Sequence, residues 1–194
     1  GRGSEQASVL IVGEAPGYHE DRQGAPFVGP SGQLLDELLS QVGLSQSQVY
    51  ITNVVKCRPP DNREPTDTEI IACVDYLWNE IQNLRPKVIV TLGKPATRVL
   101  TGLQAKMGEI RGRPKVVSFG TDLVDAEGKA LVFNIPVIPS WHPAYILRGN
   151  ERARADLAND LALALRVATE GLPKETARNY REIGSHEELV AWAD

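Results

Sequence analysis

The sequence predicts an α/β protein built on a parallel sheet with helices on both faces. Two observations predict it. Four short runs are largely apolar without strict alternation, as strands buried on both faces are: residues 7–12 (ASVLIV), 49–55 (VYITNVV), 87–92 (KVIVTL) and 133–139 (FNIPVIP). Segments with helical spacing alternate with them, which is the pattern of crossover-connected parallel strands.

Each element has its own signal. The first run ends in Gly13, and residues 13–32 carry too many glycines and prolines to be regular. Leu34, Leu35, Leu38, Leu39 and Val42 then recur at helical spacing, and Gly43 ends that helix. The second strand leads into a proline-rich loop, 57–65. Thr66 and Glu69 form a capping-box pattern, so a helix runs to about Leu84, where Pro86 breaks it. After the third strand, Gly93 turns the chain into a short helix over 95–101. Residues 104–128 have mixed charge, many glycines and weak periodicity, and read as a loop or a hairpin. The fourth strand leads into the loop SWHPAYILRGN, and residues 153–168 form an Ala/Leu-rich amphipathic helix. Beyond Gly171 the character changes, with Ser185 and Glu188 as another capping pattern. The expected organisation is one domain over 1–170, and a linker or the start of a further domain over 171–194.

Composition narrows the class. A length of 194 residues suits one domain with a sizeable core, and 42% apolar with 24% charged residues is ordinary globular material. No apolar run approaches the ~18 residues of a membrane span, and the first residues lack a signal-peptide layout. Two cysteines, Cys57 and Cys73, are too few for a disulfide scaffold, which points to a reducing, cytoplasmic setting. The chain opens without Met, so it is either processed or a piece of something longer. A net charge of −4 means that any nucleic-acid contact has to use a local basic patch.

In such sheets ligands bind beyond the carboxyl ends of the strands. Strand one runs into GEAPG, strand two into TNVVKC and strand four into SWHPAYILR, so three loops converge on one edge. Gly13 and Gly17 let backbone approach a ligand closely, with the Glu14 carboxylate between them; the alternative is a turn with a solvated acid. Phe27 stands in a loop with little else apolar, either stacking on a planar base or anchoring a small cluster. Asn53 ends a strand of Tyr, Ile and Val. Its amide suits the edge of a base, or else simply fixes a loop. His142 offers a neutral imidazole donor for a developing anion, or a loop histidine bonded to backbone. His19 and His186 read as surface residues. Three histidines without metal-ligand spacing argue against a zinc enzyme.

Together these stretches resemble the family 4 uracil-DNA glycosylases: GEAPGYHEDRQGAPFVGPSGQLLDELL, VYITNVVKCRPPDNREPT with Cys73 downstream, RPKVIVTLG, IRGR and PSWHPAYILR. The resemblance covers roughly residues 1–168. It implies a three-layer α/β/α sandwich around a four-stranded parallel sheet and a monofunctional enzyme that removes uracil from DNA. It implies that Glu14 organises the attacking water, with the backbone of Gly13, Ala15 and Gly17 against the base. Phe27 then stacks on the flipped uracil, Asn53 reads its edge and His142 stabilises the departing anion. Ser140 and the segment Ala144, Tyr145, Ile146, Leu147 and Arg148 correspond to the loop that enters the DNA. Thymine would be excluded near Gly17 and Tyr18. The better-known branch of the superfamily has an aspartate where this chain has Ala15, so leaving-group stabilisation carries more of the rate.

Family 4 enzymes typically hold a 4Fe-4S cluster on four cysteines. Cys57 and Cys73 match the later pair, and the upstream pair is absent from this sequence. The implied partner is uracil-containing DNA, met by a monomer or by one domain of a larger polypeptide. Arg111, Arg113, Arg148 and Arg152 are the candidate basic contacts. An alternative is a non-catalytic glycosylase-like domain of a replication protein, since such domains occur in phage-type DNA polymerases and the tail YREIGSHEELVAWAD resembles the entry to a proofreading domain. No GxGxxG, P-loop or GxSxG motif supports another nucleotide-binding or hydrolase class.

Overall fold

The computed structural model describes residues 1–124, 127, 128 and 130–172. Among them the strands are β1 (Arg2–Gly3), β2 (Val9–Gly13), β3 (Val49–Asn53), β4 (Val88–Leu92), β5 (Lys115–Val124) and β6 (Ala130–Ser140). The helices are α1 (Tyr18–Gln23), α2 (Pro30–Gln41), α3 (Asp67–Leu84), α4 (Lys94–Thr101), α5 (Met107–Ile110), α6 (Pro143–Leu147) and α7 (Arg152–Glu170). The sheet order is β1-β3-β2-β4-β6-β5.

The four expected strands are its centre and run parallel, with Ile11 paired to Ile51 and Val90, and Val90 paired to Ile138. Two antiparallel edge strands extend it: β1 on β3 and β5 on β6. The first carries no apolar signal in two residues. The second lies in the region 104–128 read as a loop or hairpin; it forms one arm of a hairpin whose other arm is β6, and the region also holds the short helix α5. Alternate residues of β2 face opposite layers. Val9 and Ile11 pack into the cluster made by α2 and α7, while Leu10 and Val12 pack into the cluster made with α3 and α4. This is the three-layer α/β/α arrangement, and it explains why β2 and β4 are apolar at nearly every position.

Local chemistry fixes the ends of the elements. Thr66 closes its capping box reciprocally, accepting from the Glu69 amide at 3.3 Å and donating its own amide to Oε2 of Glu69 at 2.8 Å. Pro30 begins α2, where a missing N–H costs nothing. The breaker-rich stretch after β2 nevertheless holds one turn and a half of helix, α1, stopped by Gly24 at φ 69°. No helix among the described residues is long and apolar enough to cross a membrane. Of the predicted second segment, 171–194, everything from residue 173 onward, including His186, lies outside the described residues.

Candidate active site

Because β3, β2, β4 and β6 are parallel, their carboxyl ends open on one edge. There they deliver Asn53, Glu14 and Gly93, and the Trp141–His142 segment that follows β6, to a cleft of about 1130 Å³. Glu14, Ala15, Gly17, Phe27, Asn53, His142, Ala144, Tyr145 and Arg148 all line it. Residues far apart in the chain therefore meet as the converging loops predict.

At the floor, Gly13 has Asn53 and Phe27 directly over its Cα. A Cβ at residue 13 would lie 2.5 Å from Oδ1 of Asn53 and 2.6 Å from two Phe27 ring carbons. The glycine is thus needed for close approach rather than for an unusual φ. Asn53 is 4% exposed and its Oδ1 is buried without a hydrogen-bond partner. A buried acceptor of this kind is costly unless something donates to it.

Phe27 holds a left-handed backbone, φ 55°, which a bulky residue adopts only when its surroundings impose it. Three contacts do so. Arg2 donates Nε to the Pro26 carbonyl at 2.9 Å and Nη2 to the Phe27 carbonyl at 3.2 Å. Glu20 Oε1 accepts from the amides of Val28 and Gly29 at 3.0 and 2.8 Å. Gly32 leaves room for the Phe27 carbonyl, where a Cβ would collide at 1.7 Å. The Phe27 ring then stands 5.6 Å from the His142 ring, centroid to centroid, at 31°.

His142 caps the N-terminus of α6. Its Nδ1 accepts from the Ala144 amide at 3.1 Å, so a neutral ring carries its proton on Nε2. Burial, and secondarily the Arg148 charge, push its pKa down to about 4, with Glu20 opposing. It is therefore a neutral donor at ordinary pH. Glu14 moves the other way: burial chiefly, then Glu64, raise its pKa against a lowering by Arg148.

The loop bearing His142 is fastened from behind by α7. Ser140 is 0% exposed and donates Oγ to Oδ2 of the buried Asp160 at 2.6 Å. Trp141 donates Nε1 to Asp156 at 3.2 Å and stacks on Tyr145 at 4.6 Å. Arg111 donates Nε to Oδ2 of Asp160 at 3.0 Å and Nη2 to the Asp156 carbonyl at 3.0 Å. This revises several expected DNA contacts. Ser140, and Ile146 at 1% exposure, offer no surface to a ligand. Arg111 is committed to Asp160, and Arg113 and Arg152, though exposed, do not line the cleft. Leu147 is 51% exposed and Arg148 is exposed on the cleft lining.

The cleft also includes residues that sequence reading missed: Glu20, Arg63, Lys94 and Lys106. No periodicity marks any of them, because their role comes from loops folding over the sheet edge. The cations there give the rim a local positive contribution within a chain of net charge −4. Cys57 is an exposed free thiol and Cys73 a partly buried one. Among the described residues no group of three or more His, Cys, Asp or Glu side chains converges to hold a metal. Two thiolates do not fill a four-cysteine set, so this chain's residues do not by themselves fit a four-iron cluster.

An aromatic ring, an unpartnered amide acceptor and a neutral imidazole donor around one cleft are the groups that holding a planar heterocycle by its hydrogen-bonding edge requires. The comparisons with known proteins agree. The family model described as Uracil DNA glycosylase superfamily matches residues 1–166, and the chain belongs to that superfamily. A type-4 uracil-DNA glycosylase of Sulfurisphaera tokodaii is 43% identical over 153 residues, which cover 76% of this chain and 64% of that protein. One of Pyrobaculum aerophilum is 40% identical over 163 residues, 84% of this chain and 79% of that protein. The DNA polymerase of Bacillus phage SP01 is 38% identical over 120 residues, 58% of this chain and 13% of the polymerase. The chain thus spans under two thirds of the Sulfurisphaera tokodaii protein.

Proposed function

We propose that this protein is a monofunctional uracil-DNA glycosylase, which hydrolyses the N-glycosidic bond of uracil flipped out of DNA and leaves an abasic site. The observation that carries the reading is the buried, unpartnered Oδ1 of Asn53 beside the Phe27 ring. Uracil supplies what that oxygen lacks: its N3–H donates to Oδ1 and its O4 accepts from the amide nitrogen. Cytosine presents an acceptor and an amine at those places, so it leaves the amide mismatched.

Phe27 stacks on the extruded base. As the glycosidic bond breaks, negative charge grows on the uracil and Nε2–H of His142 donates to its O2. A neutral donor suits this task, since it stabilises the anion without having to give up a proton. Glu14, with the neighbouring backbone, orients the water that adds to the sugar carbon, while Arg148, Lys94 and Lys106 lie beside phosphates of the strand. Gly17 and Tyr18 stand where the methyl of thymine would fall.

Cys57 and Cys73 would be half of the ligand set that the type-4 similarity implies, and no step of the reaction runs through it. Two free thiols suit the cytoplasm. The protein acts as a monomer or as one domain of a larger polypeptide. Similarity to the phage polymerase favours a second reading, a glycosylase-like domain that serves DNA binding without catalysis. One assay separates the two: incubation with a uracil-containing oligonucleotide followed by alkali. Strand cleavage at uracil is expected, and an intact strand at stoichiometric enzyme would reject catalysis.

A further inference from the structure

Lys56 lies three residues beyond Asn53 and takes no part in the chemistry above. Its ammonium is fully engaged. Nζ donates to Oε2 of Glu80 at 2.6 Å, to the Asn53 carbonyl at 2.8 Å and to the Thr52 hydroxyl at 2.9 Å, and an ammonium has three protons to give. Glu80 projects from α3, and the Thr52 hydroxyl, 1% exposed, donates to it at 2.9 Å. The Lys56 and Glu80 side chains are 25% and 18% exposed.

A pair this sheltered from water gives little net stability compared with apolar packing of the same volume. What it does provide is a fixed geometry, and the group it fixes is the peptide carbonyl of Asn53. The next two amides tie the same segment to the loop after β2: Val54 donates to the Gly13 carbonyl at 2.9 Å and Val55 to the Glu14 carbonyl at 3.1 Å. Helix α3 therefore holds, through Lys56 and Thr52, the stretch that carries Asn53, and with it the strand end that carries Glu14. The Asn53 Oδ1 has no hydrogen bond of its own to orient it. Its direction depends on where its backbone holds it beside Gly13.

We infer that Lys56, held by Glu80 and Thr52, is a positioning residue that sets the Asn53 amide against the base edge, and so governs both the rate of uracil release and the choice of base. This rests on the glycosylase reading. The test uses the full chain with Lys56→Met, Lys56→Met/Glu80→Leu and Lys56→Arg; the double variant leaves no orphaned carboxylate. Two quantities are read. One is the single-turnover rate of uracil release from a single-stranded oligonucleotide. The other is the affinity for an oligonucleotide carrying deoxypseudouridine, a carbon-linked uracil that cannot be released, relative to the same strand with thymidine.

Both Met variants are expected to lose about tenfold or more in rate, as small misplacements do, and to lose the preference for pseudouridine while still melting cooperatively. Lys56→Arg should restore part of each, since it keeps the charge with a different donor geometry. In an Asn53→Ala background, Lys56→Met should cost less than about twofold, because nothing remains to be positioned. Parental rate and preference in both Met variants would overturn the inference, as would the same loss with Asn53 present and absent. A parent chain that binds pseudouridine but releases no uracil rejects the glycosylase reading alone, and the affinities of the variants then decide the role of Lys56. A parent that does neither rejects both.

Discussion

Gly13→Ala is the smallest change that tests the architecture of the cleft. The new methyl would stand 2.5 Å from Oδ1 of Asn53 and 2.6 Å from the Phe27 ring, where ordinary contact begins near 3.4 Å. One or both neighbours must therefore recede by about 0.8–0.9 Å. Either can recede only by leaving its place at the cleft floor: Asn53 is 4% exposed and Phe27 5%, and the Phe27 backbone is pinned by Arg2 and Glu20. Overpacking of this kind costs about 1–3 kcal/mol of stability. In a domain of this size that lowers the melting temperature by several degrees and leaves it folded at 25 °C. The cost to function is greater, because a shift near 1 Å in a group that holds the reacting base can reduce the rate by about 10²-fold. Single-turnover release of uracil, followed by alkaline cleavage, reads the rate; thermal denaturation reads the fold. A variant with a rate within about twofold of the parent would refute the claim that Gly13, Asn53 and Phe27 form one close-packed binding floor.

Four other outcomes follow from the same geometry. His142→Ala should lower single-turnover release by about 10²–10³-fold while affinity for abasic DNA changes little, and a near-parental rate would end its role as donor to the leaving group. Burial holds His142 neutral down to about pH 4, while Glu14 titrates above its ordinary value of 4.5. The acid limb of kcat/KM should therefore belong to Glu14 and vanish in Glu14→Gln; a limb near pH 6.5 that survives this change would mean that His142 titrates instead. The same depression makes the His142 contribution to stability, read as the difference between parent and His142→Ala in urea denaturation, flat above about pH 6.5 and falling as pH drops from there through about 4, because the unfolded chain takes up the His142 proton first. Asp160→Ala should cost about 3 kcal/mol in urea denaturation, the low end for a broken buried pair, since Asp156 still holds Arg111. A loss below about 1 kcal/mol would show that the clamp behind the His142 loop is dispensable.

The four central strands were legible because burial on both faces leaves almost no polar position in β2 and β4, and that signal is local. So were the caps at Thr66 and Gly43 and the long helices α2, α3 and α7, since periodicity and capping chemistry act over a few residues. Glu14, Phe27, Asn53 and His142 were legible as chemistry-bearing residues on loops that leave the strands at a common edge. The edge strand β1 was not, and β5 was legible only as one of two alternatives, because pairing with a neighbour rather than composition makes them strands. Tertiary structure alone decided which polar residues are available. Ser140 and Arg111 look like DNA contacts in the sequence, yet they face Asp160 on a helix twenty and forty-nine residues further on. Lys56, Glu20 and Lys94 carry no pattern at all. A side chain's chemistry is written in its residue type, but whether that chemistry faces a ligand, a buried partner or water depends on elements distant in the chain, and only the packed fold brings those together.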